Sequence, residues 1–325
     1  MSAKSRRPWA ESYPEDVPAS VELKPYRNLN HMFTTVCRTY AARTAYISFG
    51  HAISYRTLAT LTDNLASYLQ SELKLKRGER VALILPNLIQ YAVSVFAVLR
   101  AGLTVVNINP LYPPREMQHV LANSQAAAVI ALDTCARGIL EIRRQTALKH
   151  IIITGVGDLL GPFKGAAVNC YVRYLTHLVP AYDRSEVIPF KQALKVGRTL
   201  PFEQIDLGLD DIAFVQYTGG TTGKAKGALL SHGNLIANIS QILAMYGMML
   251  HEGEEVMLTP LPLYHIFATT INLLLALRIA CKNILVLDPR RLDTLEKILS
   301  ANPDITVMTG VNTLYNGMLN HGIFE

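Results

Sequence analysis

The sequence predicts an α/β protein built from two stacked, mostly parallel sheets with flanking helices. Three observations lead there. Short apolar runs alternate with stretches of helical spacing, and proline or glycine ends most of the runs. The alternation persists along most of the chain. It also occurs twice on one plan, since "VALILPN…VLRAGLTVVN" is echoed by "VMLTPLP…LALRIACKNILVL". Strand–helix–strand repetition is the βαβ unit, whose strands lie parallel because the crossover returns the chain to the same end of the sheet.

The elements follow in order. Residues 1–28 are polar and proline-bearing and read as a loosely held arm. "LNHMFTTVCRTYAA" has helical spacing, "TAYISF" and "HAISY" read as a small hairpin, and "RTLATLTDNLASYLQSEL" is an amphipathic helix. From Arg80 come the strand "VALILP", the helix "NLIQYAVSVFAVLRAG" and the strand "LTVVNINP". The helix "PPREMQHVLANS", the strand "AAAVIAL", the helix "GILEIRRQTAL" and the strand "HIIITG" continue the series. After a break, "IAFVQYT" is a buried strand and "NLIANISQILAMYG" a helix, with a glycine-rich loop between them. Then come the strand "EVMLTPLP", the helix "IFATTINLLLALRIA", the strand "NILVLD", the helix "LDTLEKILSAN" and the strand "ITVMTG". The expected organisation is the arm at 1–28, a first α/β subdomain at 29–205 and a second at 206–325.

The rhythm breaks at 155–205, where six Lys/Arg face three Asp/Glu between Asp158 and Arg198, mixed with Phe, Tyr and Leu. One reading is an insertion helix capping a sheet edge. The sharper reading is a peripheral membrane-contact patch, apolar side chains meeting the interface and bases meeting anionic headgroups.

Composition narrows the class. Half of the 325 residues are apolar, 17% are charged, and the formal net charge is +6. That is a folded chain with a mild basic bias, suited to anionic ligands. No dense Lys/Arg block with interleaved aromatics points to nucleic acid. The four cysteines are scattered without metal-ligand spacing, as in a cytosolic protein with reduced thiols. The start lacks an apolar core, so no secretory signal is expected. The greasy stretches 88–106 and 266–280 are broken by Arg100 and Arg278 and fall short of the ~20 clean apolar residues of a membrane span.

The densest chemistry lies in "QYTGGTTGKAKGALLSHGNL", residues 216–235. A Walker-type loop needs GxxxxGK[ST], but Thr218 stands at the first glycine position and Ala225 follows Lys224 where the hydroxyl belongs, so that class is excluded. The physical content survives. Glycines allow close backbone approach to an anion, threonine hydroxyls add donors, and Lys224 and Lys226 add charge.

"YTGGTTGKAKG" resembles the ATP-phosphate loop of the adenylate-forming superfamily, usually Tyr-Thr-Ser-Gly-Thr-Thr-Gly-x-Pro-Lys-Gly. Gly219 replaces the serine and Ala225 the proline. Both variants resemble the bacterial long-chain fatty acid–CoA ligases, and the whole chain reads like one from its first helix onward. The resemblance implies the large N-terminal domain of such an enzyme, and ATP binding by Tyr217, Thr218, Gly219, Gly220, Thr221, Thr222, Gly223, Lys224, Ala225, Lys226, Gly227 and Ala228. Lys226 takes the place of the family's loop lysine, and Lys224 is an auxiliary charge.

A second constellation, "PLPLYHIFA" at 260–268, sits between a strand and a helix, the ligand edge of α/β sheets. Alone, His265 would read as a structural histidine. The resemblance implies that it lies beside the substrate carboxylate as the catalytic histidine. Tyr264, Phe267, Thr269 and, from "TGVNTLYN", Gly310, Val311, Asn312 and Thr313 would then border the acyl group. No Asp or Glu occurs in 256–270 to pair an amino acid's ammonium, which favours an apolar acid.

The implied reaction couples a fatty acid to CoA at the expense of Mg·ATP. The sequence stops at Glu325 without the Tyr-Gly-x-Thr-Glu motif, the ribose aspartate, the hinge or the C-terminal lid. No magnesium ligand is therefore expected in this chain, and the polypeptide alone is expected to make no acyl-CoA. The alternatives are a medium-chain or aryl acid–CoA ligase and a non-catalytic binding remnant. The expected location is the cytoplasm, peripherally on the membrane's cytoplasmic face.

Overall fold

The computed structural model of the chain describes residues 12–15, 17, 18, 20–23, 26–218 and 225–323. Within the arm, Leu23 and Tyr26 pack on the main core, and the Arg278 guanidinium lies 5.4 Å from the Tyr26 ring centre. Helix α1 (Leu29–Thr39) is capped by Asn28, whose side-chain oxygen accepts from the backbone N–H of His31, so one donor at the helix start finds a partner. Strands β1 (Thr44–Ser48) and β2 (His51–Ser54) form an antiparallel hairpin turning at Phe49 and Gly50. Helix α2 (Tyr55–Ser67) starts on Ser54, whose hydroxyl accepts from the N–H of Thr57.

The alternating region folds as its pattern predicts. β3 (Arg80–Ile84), α3 (Ile89–Arg100) and β4 (Thr104–Asn107) form the first βαβ unit. α4 (Pro114–Ser124), β5 (Ala128–Leu132), α5 (Ala136–Ile142) and β6 (His150–Thr154) extend it. Helix α5 is shorter than expected: it tightens into a 3₁₀ turn at Arg143–Gln145, where no buried side chain holds a further α turn.

Along 155–205, α6 (Pro162–Cys170) runs into a π turn (Tyr171–Leu175) and is followed by β7 (Ile188–Pro189) and α7 (Phe190–Gly197). β8 (Ile212–Thr218) leads to β9 (Lys226–Ser231) and α8 (His232–Tyr246). β10 (Val256–Thr259), α9 (Ile266–Ala268), a π turn (Thr269–Leu275) and α10 (Ala276–Arg278) come next. β11 (Lys282–Leu285), α11 (Leu292–Ala301), β12 (Val307–Met308) and α12 (Asn312–His321) complete the described residues.

Two sheets result among the described residues, ordered β7-β6-β5-β3-β4-β8-β9 and β12-β10-β11-β1-β2. Every neighbouring pair is parallel except the hairpins β1–β2 and β8–β9. Helix α3 is buried from Ile89 to Leu99 because it lies between the sheets, sharing one core with Leu83 of the first and Met257 of the second. A helix covered on all sides needs no polar face. α4 and α5 cover the outer face of the first sheet through Val120, Leu121 and Ile139, and α11 and α12 cover that of the second through Leu295 and Met318.

Two expectations are corrected. The glycine-rich loop does not lead from strand to helix: Lys226–Ser231 is an antiparallel strand paired with β8. It escaped the pattern because residues 226–229 are exposed and carry no burial periodicity. Nor do the sheets divide the chain at 205/206. The early hairpin pairs through β1 with β11, and β8 and β9 close the edge of the first sheet. Each crossing is set by pairing partners far along the chain, which local spacing does not encode. No helix among the described residues is long and apolar enough to cross a membrane.

A buried histidine ties the halves together. Nδ1 of His232, at the start of α8, accepts the backbone N–H of Leu29 (3.3 Å). Burial pushes its pKa down to about 4, with the Asp211 carboxylate pulling the other way. The neutral ring is thus favoured in the folded state, while the unfolded ring titrates near 6.5. Its contribution is therefore full above about pH 6.5 and is lost as pH falls toward 4, a change of roughly 3 kcal/mol. Urea midpoints measured between pH 7.5 and 4 should fall, and His232→Gln should flatten that dependence; a parallel decline in the variant would place the titrating group elsewhere.

Candidate functional site

The carboxyl ends of β3, β4, β8 and β10 are drawn together by a buried polar network. Asn87, just after β3, donates from Nδ2 to Thr259 O (3.1 Å) and Leu261 O (2.9 Å), and its Oδ1 accepts the N–H of Leu263 (2.8 Å). Tyr91 on α3 donates to Leu263 O (2.8 Å) and Asn107 Oδ1 (3.0 Å). Asn107, at the end of β4, donates to Gln216 Oε1 (3.1 Å), and Gln216 on β8 donates to Tyr264 O (3.1 Å). Burial raises the Tyr91 hydroxyl's pKa and keeps it a donor. Through this network the first sheet grips the "PLPLYH" segment of the second. The strand bearing Tyr217 and Thr218 lies one hydrogen bond from the residue before His265.

The hairpin base is laid out by pairing. Tyr217 stands opposite Gly227 and Thr218 opposite Lys226. Tyr217 is half-buried, its hydroxyl donating to Asn123 Oδ1 (2.5 Å), and burial raises its pKa. Thr218, Lys226, Gly227 and Ala228 are exposed. Glycine at 227 has a packing reason, since a Cβ there would lie 2.7 Å from Val215 Cγ1 and 3.1 Å from Tyr217 Cζ. Ala225 is half-buried, its carbonyl 3.4 Å from His119 Nε2. Gly219, Gly220, Thr221, Thr222, Gly223 and Lys224 lie outside the described residues.

His265 is exposed and precedes the first residue of α9. Its N–H donates to Pro262 O (2.9 Å) and its carbonyl accepts the N–H of Thr269 (2.9 Å). Phe267 is 47% exposed, so both side chains are open to solvent. Tyr264 is half-buried, its pKa raised by burial and by nearby Tyr112, with Arg290 opposing. Thr269, expected to border the acyl group, is fully buried, and its hydroxyl donates to Leu263 O (2.6 Å) and His265 O (3.1 Å). Its place is beneath the turn: it holds the backbone at His265 from inside.

The third segment lies at the same end of the second sheet. Val311 precedes α12, and Val311, Asn312 and Thr313 are exposed. Gly310 is half-buried against the Tyr315 ring, where a Cβ would be 2.7 Å from Cε2. Thr309 Oγ1 donates to Oδ1 of buried Asn272 (2.9 Å), whose Nδ2 donates to Thr259 Oγ1 (3.1 Å). Asn272 belongs to the π turn after α9, a geometry often found at functional sites. It joins the ends of β10 and β12 to the helix that follows His265. Sequence reasoning missed Asn87, Tyr91, Asn107, Gln216 and Asn272; a polar residue inside an apolar run was the available signal. Among the described residues, no group of three or more His, Cys, Asp or Glu is placed to hold a metal ion.

A family model described as "AMP-binding enzyme" matches residues 33–325. A long-chain-fatty-acid–CoA ligase of Salmonella typhimurium is 44% identical over 320 residues, covering 98% of this chain and 57% of that protein. The chain therefore spans a little over half the length of the curated relatives it matches. Among solved structures, an anthranilate CoA ligase in complex with anthranoyl-AMP superposes with a TM-score of 0.74 at 19% identity, over 90% of this chain and 51% of that one. A long-chain-fatty-acid-CoA ligase from Archaeoglobus fulgidus gives 0.71 at 20% identity, over 96% and 64%. At those identities the structures speak to the fold, which they share with this chain.

Proposed function

The chain belongs to the AMP-binding enzyme family, and from that premise we propose that it carries the phosphate-binding and acyl-binding part of a long-chain fatty acid–CoA ligase. The observation that supports this most is the 3.1 Å bond from Gln216 to the carbonyl of Tyr264. It sets the strand leading into the glycine–threonine loop beside the segment bearing His265, as a reaction between a carboxylate and a nucleotide requires.

In the proposed reaction a carboxylate oxygen attacks the α-phosphorus of ATP. The acyl–phosphate bond forms, the bond to pyrophosphate breaks, and pyrophosphate departs. The CoA sulfur then attacks the acyl carbon and AMP leaves with the bonding pair. Both steps concentrate negative charge, so fixed donors and cations do most of the work. Thr218 and Lys226 stand opposite each other at the base of the loop, where a hydroxyl and an ammonium would meet the terminal phosphates. Magnesium would arrive on the nucleotide. His265 would orient the substrate carboxylate, and exposed Phe267 would meet its chain. A long apolar acid suits a segment without a carboxylate between residues 256 and 270. Such a substrate partitions into bilayers, so the same reading places the protein in the cytoplasm, in peripheral contact with the membrane.

Calorimetric titration of this chain with Mg·ATP tests the reading. Saturable binding is expected, weakened about tenfold or more in Lys226→Met, as loss of one charge-assisted hydrogen bond predicts. Equal affinity in the variant, or no binding by the wild type, would defeat it. Pyrophosphate release by a full-length version, with acids of graded length, separates the long-chain from the medium-chain and aryl alternatives.

A further inference from the structure

Between Asp158 and Asp183 the chain carries no Asp or Glu, while Lys164, Arg173 and His177 lie within that interval. Helix α6 and its π turn occupy the middle of it. The inner face is well anchored. Gly165 is buried, Val168 and Val172 pack on the main core, and Asn169 accepts the N–H of Gly157 (2.7 Å) and donates to Asp158 (2.9 Å). Arg173 pairs with Asp133 (3.5 Å).

The outer face is apolar and bare. Phe163 is 90% exposed, Tyr171 57%, Tyr174 64%, Leu175 69% and Leu178 62%. Spacing places Phe163, Tyr171, Tyr174 and Leu175 in a stripe on one side of the helix and its π turn, and Leu178 follows just beyond the turn. The tip of the β1–β2 hairpin lies beside the start of this helix, with Phe49 43% exposed and its carbonyl accepting from the Lys164 ammonium. The carboxylates of Asp133 and Asp158, which pair with Arg173 and Lys191, are turned inward, their side chains only 10% and 14% exposed. Within the segment from Leu159 to Tyr182 that carries the stripe there is no Asp or Glu. Such a row is unusual on a free surface. Aromatic and aliphatic side chains, a lysine among them and no acid within the segment match an anionic bilayer surface, with tyrosine hydroxyls at headgroup depth.

We infer that α6, its π turn and the adjoining hairpin tip form a face that docks on an anionic lipid surface. The stripe enters the headgroup–acyl boundary, and Lys164 meets lipid phosphates. The inference rests on the peripheral-membrane reading above and names the element responsible for it.

Flotation of this chain with phosphatidylcholine vesicles, with and without phosphatidylglycerol, tests it. The wild type is expected to float with phosphatidylglycerol vesicles and more weakly with phosphatidylcholine alone. Combining Phe163→Ser, Tyr174→Ser and Leu175→Ser should lower the bound fraction about tenfold while circular dichroism and the melting temperature stay unchanged. Lys164→Glu should weaken binding to the anionic vesicles alone. If the triple variant floats like the wild type, the docking face lies elsewhere although the peripheral reading stands. If the wild type stays at the bottom with both lipids, the peripheral reading fails and takes this inference with it. A wild-type dimer that the triple variant converts to monomer, without vesicle binding, would make the stripe a protein interface and overturn the inference.

Discussion

Replacing Asn87 by leucine should lower stability by about 3–4 kcal/mol, read as a fall in the urea midpoint, because buried polar groups would be orphaned. Asn87 is 3% exposed and bonds three backbone groups of the opposite sheet. Thr259 O would keep the N–H of Val286. Leu261 O and Leu263 N would lose their side-chain partner and face leucine instead, at the cost of leaving buried dipoles unpaired. The same change frees the backbone leading to His265, so protease cleavage within 259–265 should quicken under native conditions. A midpoint shift below about 1 kcal/mol would mean that water replaces the amide.

Gly165→Val should have a comparable effect with a different reach. A Cβ at Gly165 would lie 2.2 Å from Gly157 O, and one at Gly157 would lie 2.2 Å from Gly165 O. The helix and the loop beneath it are in mutual backbone contact, and no side chain can yield to make room. α6 must lift, breaking the bonds of Asn169 to Gly157 and Asp158. The expected loss is about 2–4 kcal/mol, concentrated locally, with rapid amide exchange over 157–175. The control Ala166→Val changes an exposed neighbour and should exchange like the wild type. Equal protection in both variants would show that the loop moves aside freely.

The fold was legible where burial is two-sided. β3, β5 and β6 read as unbroken apolar runs because sheet faces on both sides are covered. The hairpin of β1 and β2 was legible as a hairpin, but its membership in the second sheet was not. An alternating pattern says which face is wet and names no partner strand. β9 was silent for the opposite reason, being exposed along most of its length. At the candidate site, Tyr217 and His265 were singled out because each sits in a long motif. Asn87 and Gln216 were not, since their meaning comes from acceptors that close only in three dimensions, at Thr259, Leu261 and Tyr264. Thr269 was assigned by proximity to the motif, and burial gave it a different task.

The pairing of Ser48 with Leu285 has a consequence during translation. At roughly 5–20 residues per second, the early hairpin leaves the ribosome on the order of ten to fifty seconds before its partner strand exists. Through that interval the edge of β1 is an unclaimed template for any extended peptide nearby. That exposure of its first hundred residues lasts until the third hundred is nearly complete. Speeding elongation between them should raise the yield of soluble protein.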